Sequence, residues 1–165
     1  MKIKISVQLK VSEMYNFLMH HTYFSFMGYV GILISLCAWA AAIYTWGKMP
    51  LFNVVLLIMA GLMFTVIQPV MLYLKAKTQI LKNPMFAKPI DYEFSNEGIL
   101  ISQGEDSNAL KWNEVTKITS TSKSVLIYLA KTRAFIITKE ALGSQFEEFK
   151  KIAKKNATAR YIKIK

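Results

Sequence analysis

The chain has 165 residues with 21 Lys and Arg against 10 Asp and Glu, a net charge of +11, and one cysteine. A lone cysteine excludes an intrachain disulfide framework and a Cys-based zinc site. The basic excess points to nucleic acid, an anionic membrane surface or an acidic partner.

The chain opens with Ile3, Ile5, Val7 and Leu9 alternating with Lys2, Lys4, Ser6, Gln8 and Lys10. That period of two predicts a half-buried strand over residues 1–11, which is expected to join the sheet of a cytoplasmic domain. Ser12 is expected to cap a short helix from Glu13 to His21. Adjacent histidines, His20 and His21, point about 100° apart on a helix and suit a membrane boundary better than a shared metal. No metal and no cofactor is expected.

Residues 12–84 hold the short helix and two expected transmembrane helices. Thr22 to Gly47 and Met49 to Leu74 contain no charged residue, and Lys48 stands alone between them. Each run is 26 residues long. As a helix, such a run spans about 39 Å, more than a hydrocarbon core of roughly 30 Å. The expected arrangement is a bilayer-spanning helical hairpin, with Trp39, Tyr44, Trp46 and Tyr73 as interfacial aromatics. Cys37 sits inside the first run as a small hydrophobe, and Pro69 is expected to kink the second span or mark its exit. With a bilayer as its surroundings, the chain has a use for its positive charge, and no nucleic acid partner is expected. Lysines 2, 4 and 10 before the hairpin and 75, 77, 82 and 88 after it outweigh Lys48, so the positive-inside rule expects a multi-pass inner-membrane protein with both termini cytoplasmic.

Residues 85–165 change character into short runs. Ile90 to Ser95 alternates, Asn96 to Gly98 forms a turn, and Ile99 to Gln103 is a second strand. Gly104 to Asn108 reads as a polar turn leading to a strand Ala109 to Trp112. Val115 to Thr121, Val125 to Leu129 and Ala134 to Thr138 follow, the last two joined by a tight hairpin at Lys131 and Thr132. These predict a meander of antiparallel strands. Ser144 and Glu147 form an S-x-x-E capping box for a helix whose stripe is Phe146, Phe149, Ile152 and Ala153. Such a helix closes an open sheet or the end of a partial barrel. Arg160 to Lys165 alternates again.

The order of these features, with "EFSNEGILI", "LKWNEVTKI" and "AFIITKEAL" before a helix, resembles the YcxB-like proteins of bacteria. The resemblance implies a cytoplasmic pleckstrin-homology-like sheet with a C-terminal helix and brings no catalytic residues with it. In that family the closing strand commonly ends in isoleucine, proline and lysine, and here Thr138 stands in the proline's place. The fold class expected is therefore a membrane α-helical hairpin plus an α+β cytoplasmic domain.

Candidate recognition or membrane-surface residues are Trp112, Lys150, Lys151, Lys154, Lys155 and Arg160. Trp112 is either a core aromatic of the sheet or part of an exposed recognition face. The lysines suit attraction to anionic lipid, worth about 1 kcal/mol for each group near the surface. The expected function is a non-catalytic accessory or regulatory protein whose cytoplasmic domain binds a protein or peptide, and the partners expected for the whole chain are the lipid bilayer and either a protein partner or a homo-oligomer. An anionic-lipid or membrane-surface sensor is the alternative. A membrane enzyme or transporter is more remote, because the spans carry no ionisable group.

Overall fold

A computed structural model of the chain describes residues 2–129, 133–159 and 161–164. The expected turn at Lys131 and Thr132, and Arg160 and Lys165, lie outside these residues. The chain divides into two compact units, Leu18–Lys77 and the combination of Met1–Phe17 with Thr78–Lys165.

The first unit is helical. Helix α1 (Val11–Tyr23) enters it, followed by α2 (Phe26–Thr45), α3 (Leu51–Leu62), a π turn (Met63–Ile67) and α4 (Gln68–Lys82). Ser12 is not a cap, since α1 already starts at Val11; its first turn is closed by the Glu13 carboxylate, which accepts from the Lys10 N–H. Phe26–Thr45, with 20 residues, and the continuous helix Leu51–Lys82, with 32, are long and apolar enough to cross a membrane.

Helix α2 buries Gly28, Gly31, Ser35, Ala38 and Ala42. Small side chains at this spacing let α2 and α3 approach closely. A Cβ on Gly31 would fall 2.1 Å from the Phe64 ring, and one on Gly61 2.8 Å from the Trp39 indole. Pro69 has no N–H to return to the preceding turn. The ladder shifts there to a wider π turn, with the Gln68 N–H reaching Met63, and the helix continues to Lys82. Carbonyls around this irregular stretch are satisfied by side chains: Phe64 by the Tyr23 hydroxyl, and Gly61 by the hydroxyls of Ser35 and Thr65.

The second unit is α+β. Its strands are β1 (Ile3–Val7), β2 (Ile90–Phe94), β3 (Gly98–Gln103), β4 (Asp106–Lys111), β5 (Lys117–Ser120), β6 (Ser124–Tyr128), β7 (Ala134–Thr138) and β8 (Tyr161–Lys163). They form two four-stranded sheets rather than one meander. The first has the order β1-β2-β3-β4 and the second β7-β6-β5-β8. All pairs are antiparallel except β5 with β8, which is parallel. The chain leaves the first sheet at a 3₁₀ turn, Trp112–Glu114, so β4 and β5 do not pair.

Ile3, Ile5 and Val7 are buried, and β1 aligns with β2 from Ile3 opposite Phe94 to Val7 opposite Ile90. Two short helices follow β7: α5 (Lys139–Leu142) and, after a 3₁₀ turn, α6 (Phe146–Asn156). Helix α6 buries Phe149, Ile152 and Ala153, and the Phe149 ring meets Phe94 edge-on at 4.8 Å. Tyr92 of the first sheet meets Phe135 of the second edge-on at 6.0 Å. These aromatic contacts join both sheets and α6 in one core.

The helix start differs from the expected capping box. Ser144 lies in the 3₁₀ turn, and α6 begins at Phe146 with no side-chain cap. The side-chain cap lies one turn earlier, where the Thr138 hydroxyl accepts the Ala141 N–H at 3.2 Å. A proline at this position could not do this, so the residue that departs from the family pattern has a definite bond.

Candidate interaction surfaces

Trp112 is 4% exposed and belongs to the core, which removes it from any recognition face. Its indole N–H donates to the Ser95 carbonyl at 2.8 Å, and its ring stacks near Phe94. Neighbouring motif residues are engaged in the same way. The Glu114 carboxylate accepts the Lys111 N–H at 3.1 Å. The Ser95 hydroxyl accepts from the N–H groups of Glu97 and Gly98, each at 3.2 Å. Gly98 is required there, since a Cβ would lie 2.3 Å from the Leu110 carbonyl oxygen.

The lysines of α6 divide. Lys150 pairs with Glu147 at 3.3 Å and is partly covered, whereas Lys151, Lys154 and Lys155 are exposed. They occupy the polar side of the helix, opposite Phe149, Ile152 and Ala153. With Glu147 and Glu148 in the first turn and Lys154 and Lys155 in the last, the charges follow the helix dipole. Arg160, the remaining candidate, lies outside the described residues.

Two charge features escaped the sequence reading. Glu93 on β2 receives both Lys2, just before β1, and Lys4 of β1 at 3.0 Å. The hydrogen bond from Lys2, then that from Lys4, hold the Glu93 carboxyl below the usual carboxylate range. Lys117 stands 5.5 Å from both the Tyr128 and Tyr161 rings. Neither pattern is visible along the chain, because each depends on strand register.

The free edge of β4 was also missed. Asp106, Ser107, Asn108 and Ala109 are exposed at the border of the first sheet. Polar residues without alternation read as a turn. The available signal was the two-residue Gly104–Glu105 connection, with Gly104 at φ +63°.

An open apolar groove of about 360 Å³ lies in the helical unit, lined by Trp39, Ala42, Ile43, Trp46 and Ile58. Its lining offers no charged group. Cys37 is exposed on α2, and His20 stacks on Phe24 at 4.8 Å.

Residues 94–153 match the family model described as YcxB-like protein. The match runs from Phe94 through Trp112 to Ala153, so it covers the motif residues placed above, and it does not extend over the two apolar helices. No curated protein and no solved structure matches the chain.

Proposed function

Starting from a stretch between Phe94 and Ala153 that is YcxB-like, we propose that the protein is a non-catalytic, multi-pass inner-membrane protein. In this reading its pleckstrin-homology-like cytoplasmic domain is a protein- or peptide-binding accessory module. The membrane reading draws support from the outward surface of the helical unit. Phe26, Leu33, Ile43, Leu51, Phe52 and Leu56 are all more than half exposed, an apolar surface that water would not tolerate. The domain reading draws support from two sheets and a C-terminal helix sharing one aromatic core.

The observation that carries the binding role is the use made of the motif residues. Trp112, Glu114, Ser95 and Thr138 each spend their polar atoms on backbone partners, which makes them parts of a scaffold. A scaffold with a free sheet border is suited to docking another chain. Affinity purification of the full chain from native membranes tests this. A protein recovered in fixed stoichiometry, a differently tagged second copy of the chain included, supports the reading, and recovery of the single chain with lipid alone refutes it.

A second reading, an anionic-lipid sensor, is favoured by the exposed Lys151, Lys154 and Lys155. Full-length protein reconstituted in phosphatidylcholine vesicles with and without phosphatidylglycerol separates the two. Lipid sensing requires slower tryptic cleavage at these lysines when the anionic lipid is present, and loss of that protection at high salt.

A further inference from the structure

Four strands border the two sheets, and three have a feature that discourages further pairing. β1 presents Lys4 and packs against α5, β7 also packs against α5, and β8 is three residues long. β4 is six residues long, contains no proline, and is exposed from Asp106 to Ala109.

Its register with β3 shows which backbone groups face outward. The connection Gly104–Glu105 closes on Gln103 opposite Asp106, a hydrogen-bonded pair in a two-residue hairpin. Bonded and non-bonded pairs then alternate along the ladder. Asn108 and Leu110 bond back to β3, while Ser107, Ala109 and Lys111 turn their N–H and C=O groups outward. The Lys111 N–H confirms this phase, because it is already taken by Glu114 at 3.1 Å. Ser107 and Ala109 have no such partner among the described residues.

We propose that β4 pairs antiparallel with β4 of a second copy of this chain, about a two-fold axis at Asn108, fusing two four-stranded sheets into one. This deepens the interaction-module reading by naming the partner. An isologous pairing has to bring outward groups of both edges together, so identical edges slide past each other only in steps of two residues. Setting Ser107 opposite Ala109 of the second copy uses every outward N–H and C=O of those two residues. It also sets Lys111 opposite Glu105 of the second copy, and the two-fold repeats that ion pair.

The adjacent registers are worse. Placing Ala109 opposite itself sets Ser107 against Lys111, whose N–H belongs to Glu114. Placing Ser107 opposite itself sets Glu105 against Ala109 and loses both ion pairs. In the favoured register Asn108 faces its own counterpart as a non-bonded pair, with Cα atoms about 4.5 Å apart.

That separation is within disulfide range, which supplies the test. Full-length protein carrying Cys37→Ser and Asn108→Cys, in detergent and in vesicles, is oxidised and its covalent dimer followed. The expected rate exceeds that of an exposed control, Ser122→Cys in the same background, by roughly tenfold or more, because pairing raises the effective thiol concentration. Glu105→Lys or Lys111→Glu added singly slows the reaction, and both together restore it. Equal rates for the two cysteine positions overturn the proposal, as does a double exchange no faster than its slower single. A monomeric chain whose thiol at position 108 captures a different protein also overturns it, while leaving the interaction-module reading standing.

Discussion

The Trp112 indole N–H and the Ser95 carbonyl, 2.8 Å apart, tie the end of β4 to the turn between β2 and β3. The bond joins two stretches that the family motifs present as separate. Trp112→Ala removes a large buried ring and leaves a carbonyl without its donor, so the unit should lose about 3 to 5 kcal/mol in denaturant unfolding. Trp112→Phe should lose less, since it restores part of the packing but not the bond.

The Ser144 capping box expected from the sequence does not form, and the side-chain cap in this region is the Thr138 hydroxyl at the start of α5. Thr138→Ala should cost about 1 kcal/mol, the usual value of a lost N-cap. Ser144→Ala should change the unfolding free energy by no more than a few tenths of a kcal/mol, as for an exposed position away from such features. A larger loss at Ser144 than at Thr138 would restore the capping box.

Acid and alkali should act through different residues. The Glu93 carboxyl is held below its ordinary value by Lys2 and Lys4, so its contribution is present above that value and is lost as pH falls through the lowered one. Glu93→Gln should therefore flatten the acid limb of a melting-temperature profile. Burial raises the Tyr92 phenol above its ordinary value of 10.0. Its contribution is full below pH 10.0 and declines above it, because the unfolded chain ionises first. Tyr92→Phe should flatten the alkaline limb in part, since Lys2, raised chiefly by its bond to Glu93, also loses its contribution as pH rises.

The strands with one buried face were legible because burial imposes a period of two: Ile3, Ile5 and Val7, or Tyr92 and Phe94. Period says which face is covered, not which strand lies alongside, so the division into two sheets and the parallel placement of β8 were not legible. Asp106 to Asn108 escaped for the opposite reason. Their exposure leaves no apolar alternation, and a free border looks like a loop. The α6 lysines were visible from charge alone, whereas the Lys2, Lys4 and Glu93 cluster requires the register of β1 on β2. Trp112 was open between core and surface, since an aromatic flanked by polar residues fits both until its hydrogen bond is known.

The opening strand gives the most local test of register, because neighbouring residues should respond in opposite ways. Ile5 is buried opposite Tyr92, and Ser6 is exposed opposite Asp91. Ile5→Lys puts an ammonium among Tyr92, Phe94 and the rest of the core face without a partner. That class of change costs about 3 kcal/mol or more. Ser6→Lys places the same charge one residue further on, beside a carboxylate on the solvent face, where a cross-strand ion pair adds roughly 0.2 to 1 kcal/mol. The thermal unfolding temperature of the α+β unit in the full chain, followed by Trp112 fluorescence with Trp39 and Trp46 replaced by phenylalanine, should fall sharply for the first variant and hold or rise slightly for the second. A slip of one residue between β1 and β2 would exchange the two results, since it turns every side chain to the opposite face. If neither variant moved the transition, β1 would not be part of this cooperative unit.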